Sequence, residues 1–140
     1  EQRYNSDLAG GIGNLLARTI TLAKKPNFKL KKPSPKIKKE VKKTKREYKN
    51  SLLEFKFNES LKSIWELIGF CDKYINQEKP WEGKSSFSQV VSDIIFALVE
   101  ISDLLTPFLP DTSGKIKQAI KLKESKPLFP KLLILHPNIV

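Results

Sequence analysis

The stretch from residue 86 to residue 105, SFSQVVSDIIFALVEISDLL, decides the fold. Phe87, Val90, Val91, Ile94, Ile95, Leu98, Val99, Ile101 and Leu105 recur at helical spacing and cover more than half the circumference of one helix. That pattern predicts a helix over 87–105 at the centre of a bundle, because a helix apolar on most sides must be covered on most sides. Ser86 with Gln89 reads as a capping box that opens it. Pro107 and Pro110 stop it.

The flanking segments supply the covering helices. Leu8, Ile12, Leu15, Leu16, Ile20 and Ala23 form one stripe at three- and four-residue spacing, which predicts a first helix from Tyr4 to Lys24. Gly10, Gly11 and Gly13 interrupt it with poor helix formers and point to a close approach to the backbone there. Pro26, Pro33 and Pro35 then break the pattern, so residues 25–48 are expected to begin as an extended basic loop or insertion. A second helix is expected from about Lys38 to Phe55, polar at first and apolar at its end. Phe55-Lys56-Phe57-Asn58 reads as a tight turn with Asn58 as N-cap of a third helix over 59–77. Leu61, Ile64, Trp65, Ile68, Cys71 and Ile75 are its core stripe, Trp65 included. Asp111 is expected to cap a short fifth helix over 112–122, and a proline-rich tail fills 126–140. No stretch alternates as a strand does. The class is all-α, an antiparallel bundle of about five helices.

Charge is distributed unevenly. The chain carries a net charge of +11, and 13 of its 26 Lys/Arg but only two of its 15 Asp/Glu lie between Lys24 and Lys49. The remainder is neutral. One segment therefore generates the whole positive field, which suits a polyanion such as nucleic acid, an anionic membrane surface, or no ligand beyond solvent. The longest apolar run, Ile94 to Val99, is far too short to span a bilayer, and the N-terminus has no apolar signal-peptide core. The single cysteine, Cys71, forms no internal disulfide and fits a reducing, cytoplasmic setting. A first residue of glutamate and the absence of methionine are expected of a piece of a longer protein.

Catalytic constellations are missing. His136 is the one histidine and lies in the tail; with one cysteine and one histidine, a zinc site built on those ligands is excluded. Gly10-Gly11-Ile12-Gly13-Asn14 follows no strand and lacks the Lys-Ser/Thr ending of a phosphate loop. The expected role is binding, with no catalytic residue, metal or cofactor in the chain. Asn14 and Arg18 are four apart and share a helix face. An amide beside a guanidinium suits the edge of an unpaired base, or else ordinary surface hydrogen bonds. Trp81, after Pro80, is either a stacking platform for a base or a cap folded back over the helix end.

These residues sit in a larger pattern. Arg3-Tyr4-Asn5-Ser6-Asp7-Leu8-Ala9 followed by Gly13-Asn14-Leu15-Leu16-Ala17-Arg18 resembles the first helix of the anticodon-binding domain of methionyl-tRNA synthetases. Phe55-Lys56-Phe57, Ile64-Trp65-Glu66-Leu67-Ile68, Tyr74-Ile75 leading to Lys79-Pro80-Trp81, Leu105-Thr106-Pro107-Phe108-Leu109-Pro110 and Pro127-Leu128-Phe129-Pro130-Lys131-Leu132 follow in the same order. The resemblance covers the chain apart from residues 24 to about 48. It implies a helical bundle appended to the catalytic domain of a class I synthetase, with residues 1–140 as the anticodon-binding part. It further implies that Asn14 and Arg18 contact anticodon bases of tRNA(Met), and that Trp81, preceded by Pro80, stacks on the first of them, a cytosine. The parent enzyme would use ATP and Mg2+ to attach methionine; its nucleotide-binding signatures are absent here. Lys31, Lys32, Lys36, Lys38 and Lys39 are expected to grip the RNA backbone. Alternatives are the corresponding bundle of a valyl-, isoleucyl-, leucyl- or cysteinyl-tRNA synthetase, a non-enzymatic basic RNA-binding module, or a peripheral membrane module.

Overall fold

A computed structural model describes residues 2–82 and 85–124, with side chains over 10–82 and 85–121. The side chains of residues 3–9, and the tail over 126–140 with His136 and the Pro127–Leu132 motif, lie outside the described residues. Five helices follow one another: α1 Gln2–Ala23, α2 Pro35–Leu53, α3 Phe57–Glu78, α4 Phe87–Leu105 and α5 Pro110–Glu124, with a 3-10 turn at Pro80–Glu82 between α3 and α4. No described residue is in a strand.

The central position of α4 follows from its composition. It packs against each of the other four helices, and Ile94, Leu98, Ile101 and Leu105 are completely buried. Each such side chain contributes about 1.5–3 kcal/mol on removal from water. Facing them are Ile12 and Leu15 of α1, Ile37 and Val41 of α2, Ile64, Leu67 and Ile75 of α3, and Ile116 and Ile120 of α5. Short connections reverse the chain between α2 and α3 and between α4 and α5. At that end of the bundle Phe57 meets Phe108 edge to face, with ring centroids 6.2 Å apart. The C-terminal ends of α1 and α3 and the start of α4 gather at the other end.

Several local expectations change. α2 starts at Pro35, inside the segment expected as a basic loop, and Ile37, Val41, Thr44 and Tyr48 bury one side of it from its first turn. Proline there opens the helix, because the first helical N–H needs no partner. α3 starts at Phe57 with Lys56 in the cap position, so Asn58 is already helical. Ser86 makes no side-chain cap bond; Gln89 instead turns its amide to the Lys32 carbonyl (2.9 Å) and to Asp93 (2.9 Å). α5 begins at Pro110, which places Asp111 within its first turn. Trp65 sits at the rim, 38% exposed. Its indole lies over Gly11, where an added Cβ would come within 3.3 Å of the ring. That is the close approach that one of the three glycines serves; Gly10 and Gly13 meet no described neighbour.

Asp93 is fully buried among these apolar helices. Its two oxygens accept from the Ser34 N–H (2.8 Å), the Ser34 hydroxyl (2.6 Å), the Tyr74 hydroxyl (2.7 Å) and the Gln89 amide (2.9 Å). Four donors replace the water that a buried carboxylate loses. Burial, and then the bond to Asp93, push the Tyr74 phenol above its ordinary range. The folded protein thus keeps a proton that the unfolded chain releases above about pH 10. Stability is intact below that pH and declines as pH rises beyond it. Tyr74→Phe is expected to flatten this alkaline decline in Tm and to lower stability at pH 7 by about 1–3 kcal/mol, since the carboxylate loses a donor; thermal melts across pH 7–11 test both.

Candidate nucleic-acid interface

Arg18 lies near the end of α1, on the face turned toward the last turns of α3. Its guanidinium donates to the Asn76 side-chain oxygen Oδ1 at 2.8 Å. It also lies 5.8 Å from the centroid of the Trp81 ring, a cation–π distance. Asp72, one turn before Asn76 on α3, is the nearby acid. Its carboxyl is raised above its ordinary range by partial burial, and Arg18 opposes that rise. The guanidinium is thereby set between an amide and an aromatic face, with a carboxyl group nearby and with donors of its planar fork still available.

The position of Trp81 is set by how α3 ends. Lys79 adopts a left-handed conformation (φ 46°) and its N–H closes on the Ile75 carbonyl. Pro80 then prevents continuation and is itself buried, and the 3-10 turn carries Trp81 across to α1. The indole remains 44% exposed and borders a shallow recess of about 330 Å³ with Ala17, Arg18, Thr21 and Leu22. It is neither fully folded away nor free-standing. Asn14 is exposed one turn before Arg18 on the same helix.

Of the residues singled out in the sequence, the structure brings Arg18 and Trp81 together, buries Pro80 and leaves Asn14 exposed one turn from Arg18. Asn76 and Asp72 were missed. They lie four apart on α3, outside its apolar stripe, and nothing local separates them from solvated polar residues. Cys71 is buried and its thiol is pushed far up by that burial, which suits core packing and not nucleophilic chemistry. The described residues contain no cluster of potential metal ligands and no helix long and apolar enough to cross a membrane.

The five lysines expected to meet RNA backbone are all exposed, but they belong to two different elements. Lys31 and Lys32 lie on the extended connection between α1 and α2. Lys36, Lys38 and Lys39 lie on the first turns of α2, outside its buried stripe, and the Lys36 ammonium rests 4.7 Å from the Tyr74 ring centroid. The connection leaves α1 after Ala23, the residue that follows Leu22 of the recess lining.

An exposed indole thus stands beside an anchored guanidinium at one end of a helical bundle. Residues 35–135 match the model of the anticodon-binding domain of tRNA ligase. The chain belongs to that family. The match takes in α2 to α5, so α2 is part of the family pattern, while α1 and the connection before α2 lie outside the matched residues.

Among curated relatives, the methionine–tRNA ligase of Fusobacterium nucleatum is 26% identical over 175 residues, covering 99% of this chain and 28% of that protein. The methionine–tRNA ligase of Clostridium acetobutylicum is 32% identical, covering 87% of this chain and 21% of that protein. That of Borreliella afzelii is 30% identical, covering 84% and 17%. The chain thus spans less than a third of the length of these relatives. No solved structure matches it.

Proposed function

We propose that this domain reads the CAU anticodon of tRNA(Met) on behalf of a longer methionine–tRNA ligase. Its parent would attach methionine to that tRNA with ATP and Mg2+ in the cytoplasm, through a catalytic domain on the same chain. The observation that carries the reading is the juxtaposition of Arg18 with Trp81. A splayed anticodon base has a π-face for the indole and a hydrogen-bonding edge for the guanidinium fork, so one base engages both. Asn14, one turn away, offers an amide that both donates and accepts to a neighbouring base. Family membership and the printed names of the relatives support the choice of tRNA and amino acid.

Stacking a base has a structural consequence. Arg18 already lies over part of the Trp81 ring, so an incoming base either takes the open part of the face or displaces the guanidinium toward the base edge. Asn76 keeps the guanidinium within reach in both cases. Discrimination then resides in Arg18, Asn14 and Trp81, while the lysines of the connection and of α2 supply a sequence-independent attraction to phosphate.

The chain is expected to bind an anticodon stem-loop bearing CAU more tightly than one with a changed first base, as measured by fluorescence anisotropy. Equal affinity for the two would contradict the methionine assignment. Trp81→Ala is expected to weaken binding to the CAU stem-loop by about 1–3 kcal/mol while the cooperative melt is kept. Loss of that melt would make the indole a packing residue and remove it from the reading surface.

A further inference from the structure

The connection between α1 and α2 carries no role in base reading, yet it is held in detail. Its backbone runs along one side of α4. The Lys29 N–H donates to Ser88 Oγ at 3.0 Å and the Lys31 N–H to Ser92 Oγ at 2.8 Å. The Lys32 carbonyl accepts from Gln89 at 2.9 Å, and Ser34 closes on Asp93 through both its N–H and its hydroxyl. Phe28 anchors the start of the run by packing edge to face on Phe87, at 6.1 Å.

The register has a simple physical basis. Two residues of extended chain advance about 6.6 Å, and four residues of helix advance about 6 Å. Serines at i and i+4 of a helix therefore meet alternate N–H groups of an extended strap, as Ser88 and Ser92 meet Lys29 and Lys31. With its polar backbone groups turned to α4, the strap leaves the side chains of Lys29, Lys31 and Lys32 exposed. No need of the core explains lysines there, since a loop pinned only for packing would serve with any polar residue.

We propose that Ser88, Gln89, Ser92 and Asp93 form a positioning row that fixes Lys29, Lys31 and Lys32 as a preformed track for RNA phosphates along one side of α4. This rests on the domain being an RNA binder, and it assigns to α4 a task beyond the core. A strap ordered before binding does not lose its backbone freedom on meeting RNA. The row therefore acts on affinity and on its salt dependence, and leaves the choice of base to the recess.

The test is a double-mutant cycle on the 140-residue chain, with a CAU anticodon stem-loop titrated between 50 and 200 mM salt. One arm is Ser88→Ala with Ser92→Ala; the other is Lys29→Gln, Lys31→Gln and Lys32→Gln. Each arm is expected to weaken binding about three- to tenfold at 50 mM salt and to reduce the salt slope, by about 0.7–0.9 for each phosphate no longer neutralised. Combined, they are expected to cost little more than the lysine arm alone, because the serines act through those lysines. Preference for CAU over a changed first base stays constant throughout. Gln89→Ala, which frees the Lys32 carbonyl and takes one donor from Asp93 while leaving Ser88 and Ser92 in place, is expected to shift the slope in the same direction.

An unchanged salt slope in the serine arm and in Gln89→Ala, or serine and lysine effects that simply add, would overturn the positioning role. Loss of the serine-arm melt with no slope change in Gln89→Ala would do the same. If these substitutions reduced binding to phosphatidylserine vesicles and left the RNA slope unchanged, the track would belong to a membrane surface. Wild-type protein lacking base preference but giving the predicted slopes would remove the anticodon reading and keep the track.

Discussion

A carboxylate inside an apolar bundle must be surrounded by donors or the bundle is destabilised, and Asp93 meets that demand from three separate parts of the chain. Gln89 comes from its own helix, Tyr74 from α3, and Ser34 from the end of the connection that leads into α2. Removing any one donor leaves a buried charge short of a partner, which costs more than an ordinary surface hydrogen bond contributes. The requirement therefore fixes where α2 begins and how the connection before it runs. It also holds α3 against α4 near the end of the bundle where Arg18 and Trp81 lie.

That end gathers two kinds of surface with different physics. The lysines act at a distance and respond to salt, but a point charge on a flexible stem does not distinguish one base from another. Arg18 is the opposite case, a planar group already fixed by Asn76 and set against an aromatic face. Net charge draws attention to the first kind. The second is identified only by following side chains from one helix to another.

The sequence made the fold class plain because α3 and α4 carry dense apolar stripes that no strand pattern imitates. It hid the start of α2 for two reasons. Ile37, Val41, Thr44 and Tyr48 are spaced at helical intervals but diluted by lysines, and Pro33 and Pro35 read as breakers although a proline in the first turn is a helix opener. Trp65 was misplaced because periodicity gives a face and not a depth; it stands at the edge of its stripe, where Gly11 makes room for the ring across α1. Asn14 and Arg18 were legible as a pair because their spacing is local. The juxtaposition of Arg18 with Trp81 spans more than 60 residues and was reached only through the resemblance, and Asn76 and Asp72 had no local mark at all. Asp93 shared that limitation. A single acid in an apolar helix reads as an exception until its partners, nearly 60 residues away at Ser34 and 19 away at Tyr74, come into view.

The basic connection is a built part of the bundle, held by the polar side of α4. Amide hydrogen exchange in the free protein measures this directly, residue by residue. The N–H groups of Lys31 and Ser34, bonded to Ser92 and Asp93, are expected to exchange far more slowly than those of an unstructured chain, and to open together with Tyr74 and α4. Exchange of both amides at the rates of an unstructured peptide, with α4 still protected, would contradict it.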